Sequence, residues 1–277
     1  MKKLITVFLG LVVILTACSK NGDVNSKEIK MGKYLKNNNT VAFTVFDSDE
    51  GIDKNKYVKD IHFVKNGKIK TYRVYEDDDS EYNENAISIG DATKMSNSEL
   101  LKYAQKRDKK YFDEVKNNRI ENINYDLKHH TREYFDAAED QDAALKEERK
   151  KNIQEKEKLK TIKYKEPEYK KIKLYGEEDS TGNKISTEYF NIAPSDLSTG
   201  DEDTNSKFKE SNQGTLGFQD TITPFQVYDK KYAGLVHNSY DFETEDYTNP
   251  EEALIIKVGK KTEQVTMDDK SDVKIQE

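Results

Sequence analysis

The feature that most constrains the fold is a β-hairpin signal in residues 60–75, whose sequence is DIHFVKNGKIKTYRVY. Largely alternating apolar and polar residues flank Asn66-Gly67, and this dipeptide accepts the positive φ angles of a two-residue type I′ turn. The apolar residues that can share one face of the two strands are Ile61, Phe63, Tyr72 and Val74. The sequence therefore predicts an antiparallel pair of strands that buries one face.

Similar period-two segments lie towards both ends of the chain. They are Thr40–Phe46, Ile172–Leu174, Ile185–Tyr189, Phe225–Tyr228 and Leu235–Val236. Near the C-terminus, Leu254–Val258 and Val265–Met267 flank the turn Gly259-Lys260-Lys261, which predicts a second hairpin. The strand signals thus precede and follow a middle region of different character.

Helical patterns occupy that middle region. Ser96 and Glu99 have the spacing of a capping box. The apolar stripe that follows them predicts a helix near Ser98–Asn117. Strands at both ends with helices between them predict an α+β fold, in which antiparallel β-hairpin-rich N- and C-terminal parts are joined by a central helical segment.

Residues 125–161 predict a second helical stretch with two unlike parts. The residues that its first part would bury are Tyr134, Phe135, Ala137 and Ala138. Residues 146–160 are polar on almost every face, and such a helix typically crosses solvent between packed parts. This change of character predicts a boundary near residue 160.

The first 18 residues carry the pattern of an export signal. Met1-Lys2-Lys3 is basic, Leu4–Ala17 is almost wholly apolar, and the single cysteine of the chain follows as Cys18. The apolar run is shorter than the roughly 20 residues that a membrane-spanning helix requires. A basic start followed by a short apolar region is typical of a secretory signal peptide.

The tetrapeptide Leu15-Thr16-Ala17-Cys18 resembles the lipobox of bacterial lipoproteins. The Lys- and Asn-rich composition is similar to that of cell-envelope lipoproteins of low-GC Gram-positive bacteria, of the staphylococcal type. The resemblance implies that the Cys18 thiol receives a diacylglyceryl group and that cleavage occurs between Ala17 and Cys18. It also implies a lipid anchor in the cell membrane, facing the extracytoplasmic side, where two acyl chains hold far better than one.

This interpretation divides the chain into four parts. Residues 1–17 are the signal peptide, and 18–30 are the lipidated cysteine with a flexible tether, because this stretch is polar and aperiodic. Residues 31–160 form a β-hairpin plus helical domain. Residues 161–277 form either a second β-rich domain or the second half of one domain.

The charge balance limits the classes of partner. The 277-residue chain has 53 acidic and 46 basic residues, a net charge of −7, which becomes −9 when Lys2 and Lys3 leave with the signal peptide. Nucleic acid requires a basic face, so we expect no nucleic-acid partner. The same balance argues against a polybasic attachment to anionic lipid. Because lipidation would use the one cysteine, we expect no disulfide.

Metal and cofactor candidates are weak. Asp201, Asp203 and Asn205 begin like a calcium-binding loop, but the glycine and the final bidentate glutamate that such a loop needs are missing. His129-His130 with Glu133 could supply zinc ligands but lacks the H-E-x-x-H spacing. We therefore predict no cofactor and no bound metal.

Catalytic motifs do not stand out either. The sequence has no G-x-S-x-G nucleophile elbow, no P-loop and no dinucleotide-binding G-x-G-x-x-G. We therefore predict no catalytic residue. Tyr228, Tyr232 and Tyr240 are candidates for lining a ligand groove.

These observations favour a non-enzymatic binding or interaction role outside the membrane. The sequence leaves the target open between an envelope protein and a small ligand. One alternative is a solute-binding lipoprotein of a transporter, which predicts alternating β and α units in two lobes. The other is an envelope hydrolase whose site the residue spacing does not reveal.

Overall fold

The computed structural model describes residues 24–46, 51–75, 86–135, 140–192, 194, 215–241 and 246–275. The first seven strands are β1 (Glu28–Lys30), β2 (Thr40–Phe46), β3 (Val58–Lys65), β4 (Lys68–Arg73), β5 (Lys170–Lys171), β6 (Leu174–Glu178) and β7 (Ile185–Phe190). The later strands are β8 (Leu216–Phe218), β9 (Asp220–Val227), β10 (Lys230–Asp241), β11 (Asp246–Val258), β12 (Gln264–Thr266) and β13 (Lys274–Ile275). The α-helices are α1 (Met31–Asn37), α2 (Ile89–Lys94), α3 (Asn97–His129) and α4 (Gln141–Thr161).

A central antiparallel sheet has the strand order β5-β4-β3-β2-β11-β10-β9. Strands from both halves of the chain lie side by side in it, because β2 pairs with β11, with Phe43 opposite Ile255. Asn66 and Gly67 join β3 to β4 with φ angles of 52° and 68°, as a type I′ turn requires. The predicted α+β class and the first hairpin are therefore confirmed.

Side chains alternate across the central sheet, so both of its faces can be buried. Leu254 and Ile256 of β11 face a second sheet, in the order β13-β6-β7-β8, and helix α1. Ala253 and Ile255 of the same strand face α2 and the start of α3, together with the apolar residues of the predicted hairpin. The molecule thus has three layers: a small sheet, the central sheet and a helical layer.

The predicted second hairpin near the C-terminus is wrong. Strand β11 pairs with β10 and β2, whereas β12 pairs in parallel with β1. Ile29 and Val265 lie opposite each other in this pair and are 5% and 0% exposed. The burial of these two apolar side chains explains why β12 leaves its neighbour in sequence for a distant partner.

The predicted flexible tether, residues 18–30, includes residues that belong to the fold. The Val24 carbonyl oxygen accepts hydrogen bonds from the Gly259 amide at 2.6 Å and from the Thr262 hydroxyl at 2.9 Å. Residues 24–27 therefore run along the turn after β11 and lead directly into β1. This part of the predicted tether belongs to the folded body.

Helix α3 begins as predicted but ends later. Ser96 accepts a hydrogen bond from the Glu99 amide, and the Glu99 carboxylate accepts one from the Ser96 amide at 2.8 Å, which completes the capping box. The helix continues to His129, beyond the predicted Asn117. The extra turns are stabilised by pairing with α4, a tertiary contact that the local apolar stripe does not reveal.

Candidate interaction site

Beyond residue 112, helix α3 leaves the central sheet and packs against α4. We call residues 113–161 the helical arm. Its 17 residues from α3 are about 25 Å long at 1.5 Å per residue. Within the described part of the arm, Ile123 and Leu159 are the fully buried side chains, at 1% exposed each. The arm therefore presents most of its surface to solvent.

A buried carboxylate fixes the base of the arm to the sheet. Asp108 of α3 accepts hydrogen bonds from the Arg73 amide of β4 at 2.9 Å and from the Tyr164 hydroxyl at 2.8 Å. Burial, partly offset by these two bonds, raises the pKa of Asp108 to about 6. Three separate segments, α3, β4 and the chain that follows α4, thus meet at one side chain.

A second carboxylate, Glu166, joins the same three segments. It accepts hydrogen bonds from the Tyr72 hydroxyl, from Lys70 Nζ at 3.0 Å and from Gln105 Nε2 at 3.0 Å. Burial opposes ionisation of Glu166, but these bonds outweigh it and hold the pKa below its usual range. Charge-assisted bonds of this kind are stronger than neutral ones, so the base of the arm is rigidly held.

Polar pairs hold the two helices of the arm together along its length. Arg119 of α3 lies 2.8 Å from Glu155 of α4, and Lys156 donates to Asn124 at 2.6 Å. Near the far end, the His130 ring contacts Glu148 at 2.9 Å, and Arg149 donates to the His130 carbonyl at 3.3 Å. The helices are therefore joined mainly by polar contacts on a hairpin with little apolar core.

Aromatic rings cluster at the end of the arm. Tyr125 stacks on His129 with 4.2 Å between ring centroids, and His130 stacks on Tyr134 at 3.7 Å. Phe135 meets Tyr134 edge-on at 5.1 Å. Tyr125 and Tyr134 remain 61% and 62% exposed. We call these five residues the tip cluster.

The tip cluster has the properties of a protein-binding surface. Tyrosine combines a large contact area with few rotatable bonds, and it is enriched among the residues that contribute most to binding. Stacking of Tyr125 and Tyr134 on neighbouring imidazoles fixes both exposed rings before any partner arrives. Such preorganisation lowers the entropy that binding has to overcome.

Two further buried titratable groups lie in the packed layers and not at the surface. Glu188 of β7 is fully buried and accepts from the Asp268 amide at 2.9 Å, while the Asp268 carboxylate accepts from the Lys33 amide at 3.0 Å. Burial, together with the adjacent Asp268 carboxyl, raises the pKa of Glu188 well above its usual range. A neutral Glu188 can lie beside the Asp268 carboxylate without charge repulsion.

The second group is His62 in the central sheet. Its ring nitrogens lie 2.7 Å from the Thr44 hydroxyl and 2.8 Å from the Thr71 hydroxyl on the strands to either side. Burial lowers the pKa of His62 to about 4, so the ring is neutral at pH 7. The three side chains form a satisfied cross-strand network, which is a structural role.

The lipidation, cleavage and metal candidates divide between described and undescribed residues. Ala17, Cys18, Asp201, Asp203 and Asn205 lie outside the described residues. Among the three residues proposed as zinc ligands, His130 is the one with described polar side-chain contacts. Its ring lies between Asp126 and Glu148. Across the described ranges, no group of three or more His, Cys, Asp or Glu side chains is placed to hold one metal ion.

The structure separates the tyrosines proposed to line a groove. Tyr232 is 4% exposed and its hydroxyl bonds to Thr93 at 2.9 Å, whereas Tyr228 is 53% exposed on the β9–β10 turn. The side chain of Tyr240 lies outside the described residues. The predicted burial of Tyr134 is also wrong, because that ring belongs to the exposed tip cluster.

The sequence does contain a signal for the tip cluster. Tyr125 and His129 are four residues apart on α3, the spacing at which side chains meet on a helix, whereas His130 and Tyr134 meet beyond the end of α3 and have no such signal. The base of the arm is harder to predict from the sequence, because Asp108 only interrupts the apolar stripe of the predicted helix. Its partner Tyr164 lies 56 residues further along the chain.

Comparisons of the chain with protein-family models, with curated proteins and with solved structures find no match. Among the residues that the structure describes, no helix is both long and apolar enough to cross a membrane.

Proposed function

We propose that the chain is a lipid-anchored protein of the extracytoplasmic face of the cell membrane that binds an envelope protein without catalysing a reaction. The observation that carries the binding role is the helical arm, with two exposed tyrosines fixed at its end. The lipobox-like sequence around Cys18 supports the location. No other exposed aromatic pair in the described residues lies on an element that leaves the body in this way.

The exposure of the tip cluster favours a macromolecular partner over a small solute. A solute site is concave and surrounds most of its ligand. The tip cluster instead lies at the exposed end of a helix pair whose sides are polar and solvated. A projecting hairpin of this kind can reach a partner while the three-layered body stays near the membrane.

The test is site-specific photo-crosslinking in intact cells. A photoreactive residue replaces Tyr125 or Tyr134 in the full-length protein, and in the matched control it replaces Tyr57, which is 48% exposed on the body. We expect one protein to be captured from both tip positions and not from Tyr57. Cys18→Ala should reduce the capture, since the protein would no longer be held at the membrane.

Two results would contradict the proposal. One is capture of the same proteins from Tyr57 as from the tip. The other is an unchanged yield at Tyr125 when Tyr134 and Phe135 are both replaced by alanine. A lipid-free Cys18 in the mass spectrum of the mature protein would refute the anchoring alone and leave the tip test valid.

A further inference from the structure

Many lysines of the central sheet lie at one of its two ends. Because all neighbouring strands are antiparallel, β3, β5 and β11 finish at the end where β2, β4 and β10 start. We call this the anchor end. The lysines on its strand ends and turns are Lys65, Lys68, Lys171, Lys230, Lys231, Lys257, Lys260 and Lys261.

These lysines form a broad basic surface. They are spread over β3, β4, β5, β10, β11 and the turn that follows β11, a width of about 25 Å at the usual strand spacing. Lys68, Lys171, Lys257, Lys260 and Lys261 are exposed. The acidic residues in the described turns of this end are Asp229 and Glu263, and Glu263 is already paired with Lys27 at 3.0 Å.

The opposite end of the sheet leads into acidic sequence. Strands β2, β4 and β10 finish there, and the chain continues into residues 47–50, 76–85 and 242–245. These three segments contain 11 acidic and no basic residues. The overall charge of −7 is thus no measure of the charge at the anchor end, because net charge alone does not say how the charged residues are distributed.

Val24, the first residue that the structure describes, lies at the anchor end. Val24 is bonded to Gly259 and Thr262, directly beside Lys260 and Lys261. Six residue steps separate Val24 from Cys18, which reach at most about 20 Å when fully extended. A lipid on Cys18 would therefore hold the basic surface close to the plane of the headgroups.

We infer that the anchor end is a docking surface for the anionic phospholipid headgroups of the membrane that holds Cys18. The inference rests on the proposed lipid anchoring. Lysine ammonium groups attract anionic headgroups over a Debye length of about 8 Å at physiological ionic strength. The short link supplies a high effective concentration, so a modest attraction is enough to orient the body. The opposite end of the sheet then points away from the membrane.

The test uses the full-length lipidated protein, reconstituted into vesicles of phosphatidylcholine alone or of phosphatidylcholine mixed with phosphatidylglycerol. An amine-reactive reagent labels lysines, and mass spectrometry measures the rate at each one. We expect Lys68, Lys171, Lys260 and Lys261 to be labelled about fivefold more slowly on the phosphatidylglycerol vesicles. Lys150 and Lys151 of the arm should be labelled equally on both.

A variant pair separates local docking from general charge. Lys260→Gln with Lys261→Gln should abolish most of the protection of Lys68 and Lys171. Lys150→Gln with Lys151→Gln changes the net charge by the same amount and should leave that protection intact. Both pairs are exposed, and an unchanged melting temperature would show that they fold.

Three results would contradict the inference, and the measurements distinguish them. A protein that is lipidated and bound to both vesicle types, yet labelled equally on them, would overturn the docking surface while the anchoring stands. Equal protection of Lys150 and Lys151 would overturn it as well. A Cys18 peptide without lipid, with protein absent from both vesicle types, would overturn the anchoring and this inference with it.

Discussion

The buried carboxyl group of Glu188 makes the stability of the folded chain depend on pH. Its folded pKa is raised, so above its unfolded pKa of 4.5 the folded chain holds a proton that the unfolded chain has released. The free energy of unfolding contributed by this residue is therefore largest at pH 4.5 and below and decreases as the pH rises above that value. The cause is the burial of two carboxyl groups, Glu188 and Asp268, in one place.

Replacing Glu188 by glutamine should remove this dependence on pH. The neutral amide keeps the volume of the side chain and needs no proton to stay uncharged. We expect Glu188→Gln to exceed the wild-type free energy of unfolding by at least about 1 kcal/mol at pH 8 and to lose most of that advantage at pH 5. Urea denaturation at both pH values measures it, with exposed Glu177→Gln as the matched control; an advantage of equal size at both would refute the assignment.

His62 should make the protein sensitive to acid over a different range. Its folded pKa is about 4, against 6.5 when unfolded, so only the unfolded chain gains a proton as the pH falls through this interval. The wild type should therefore lose about 3 kcal/mol of unfolding free energy between pH 7 and pH 4 that His62→Gln does not lose. His129→Gln, on an exposed ring, should behave like the wild type.

The effect of His62 has to be measured as the difference between the wild type and His62→Gln. Asp108, with a pKa raised from 3.8 to about 6, contributes the opposite slope over nearly the same interval. The wild-type profile alone would combine both residues. Parallel profiles for wild type and His62→Gln would show that this imidazole does not titrate as its burial indicates.

At the scale of elements, the arm depends on its base. The Tyr164 hydroxyl donates to Asp108, which is charged above pH 6, so Tyr164→Phe leaves a buried carboxylate with one bond fewer. We expect a loss of about 1–3 kcal/mol at pH 8 and a smaller loss at pH 5, where Asp108 is largely protonated. Urea denaturation tests this, and Tyr169→Phe, whose ring is 40% exposed, is the control. Equal losses from both substitutions would show that Asp108 does not depend on Tyr164.

Elements whose signals are local could be predicted from the sequence, whereas their partners could not. The Asn66-Gly67 turn and the Ser96–Glu99 capping box each depend on residues within a few positions of one another. The pairing of β1 with β12 joins residues about 235 positions apart, and both strands have only three residues. A three-residue strand carries too short a pattern to specify which edge it will join.

The same distinction applies to the candidate site. The spacing of Tyr125 and His129 is visible in the sequence, but their exposure depends on where α3 leaves the sheet. Aromatic residues on a helix are more often core than surface, so Tyr134 was expected to be buried. The basic anchor end is likewise a product of topology, because antiparallel strands bring distant lysines to one edge while the net charge is negative.

For the whole molecule, the arrangement of the core predicts that the two halves of the chain unfold together. Leu35 of α1 and Leu174 of β6 come from opposite sides of the helical segment, yet both are buried in the cluster between the two sheets. Leu35→Ala and Leu174→Ala should each cost about 2–5 kcal/mol and shift one common transition in scanning calorimetry. Ile153→Ala on the arm, 54% exposed in the wild type, should stay within about 0.5 kcal/mol. Two resolved transitions, with each leucine variant shifting a different one, would show that the halves are separate cooperative units despite their shared sheet.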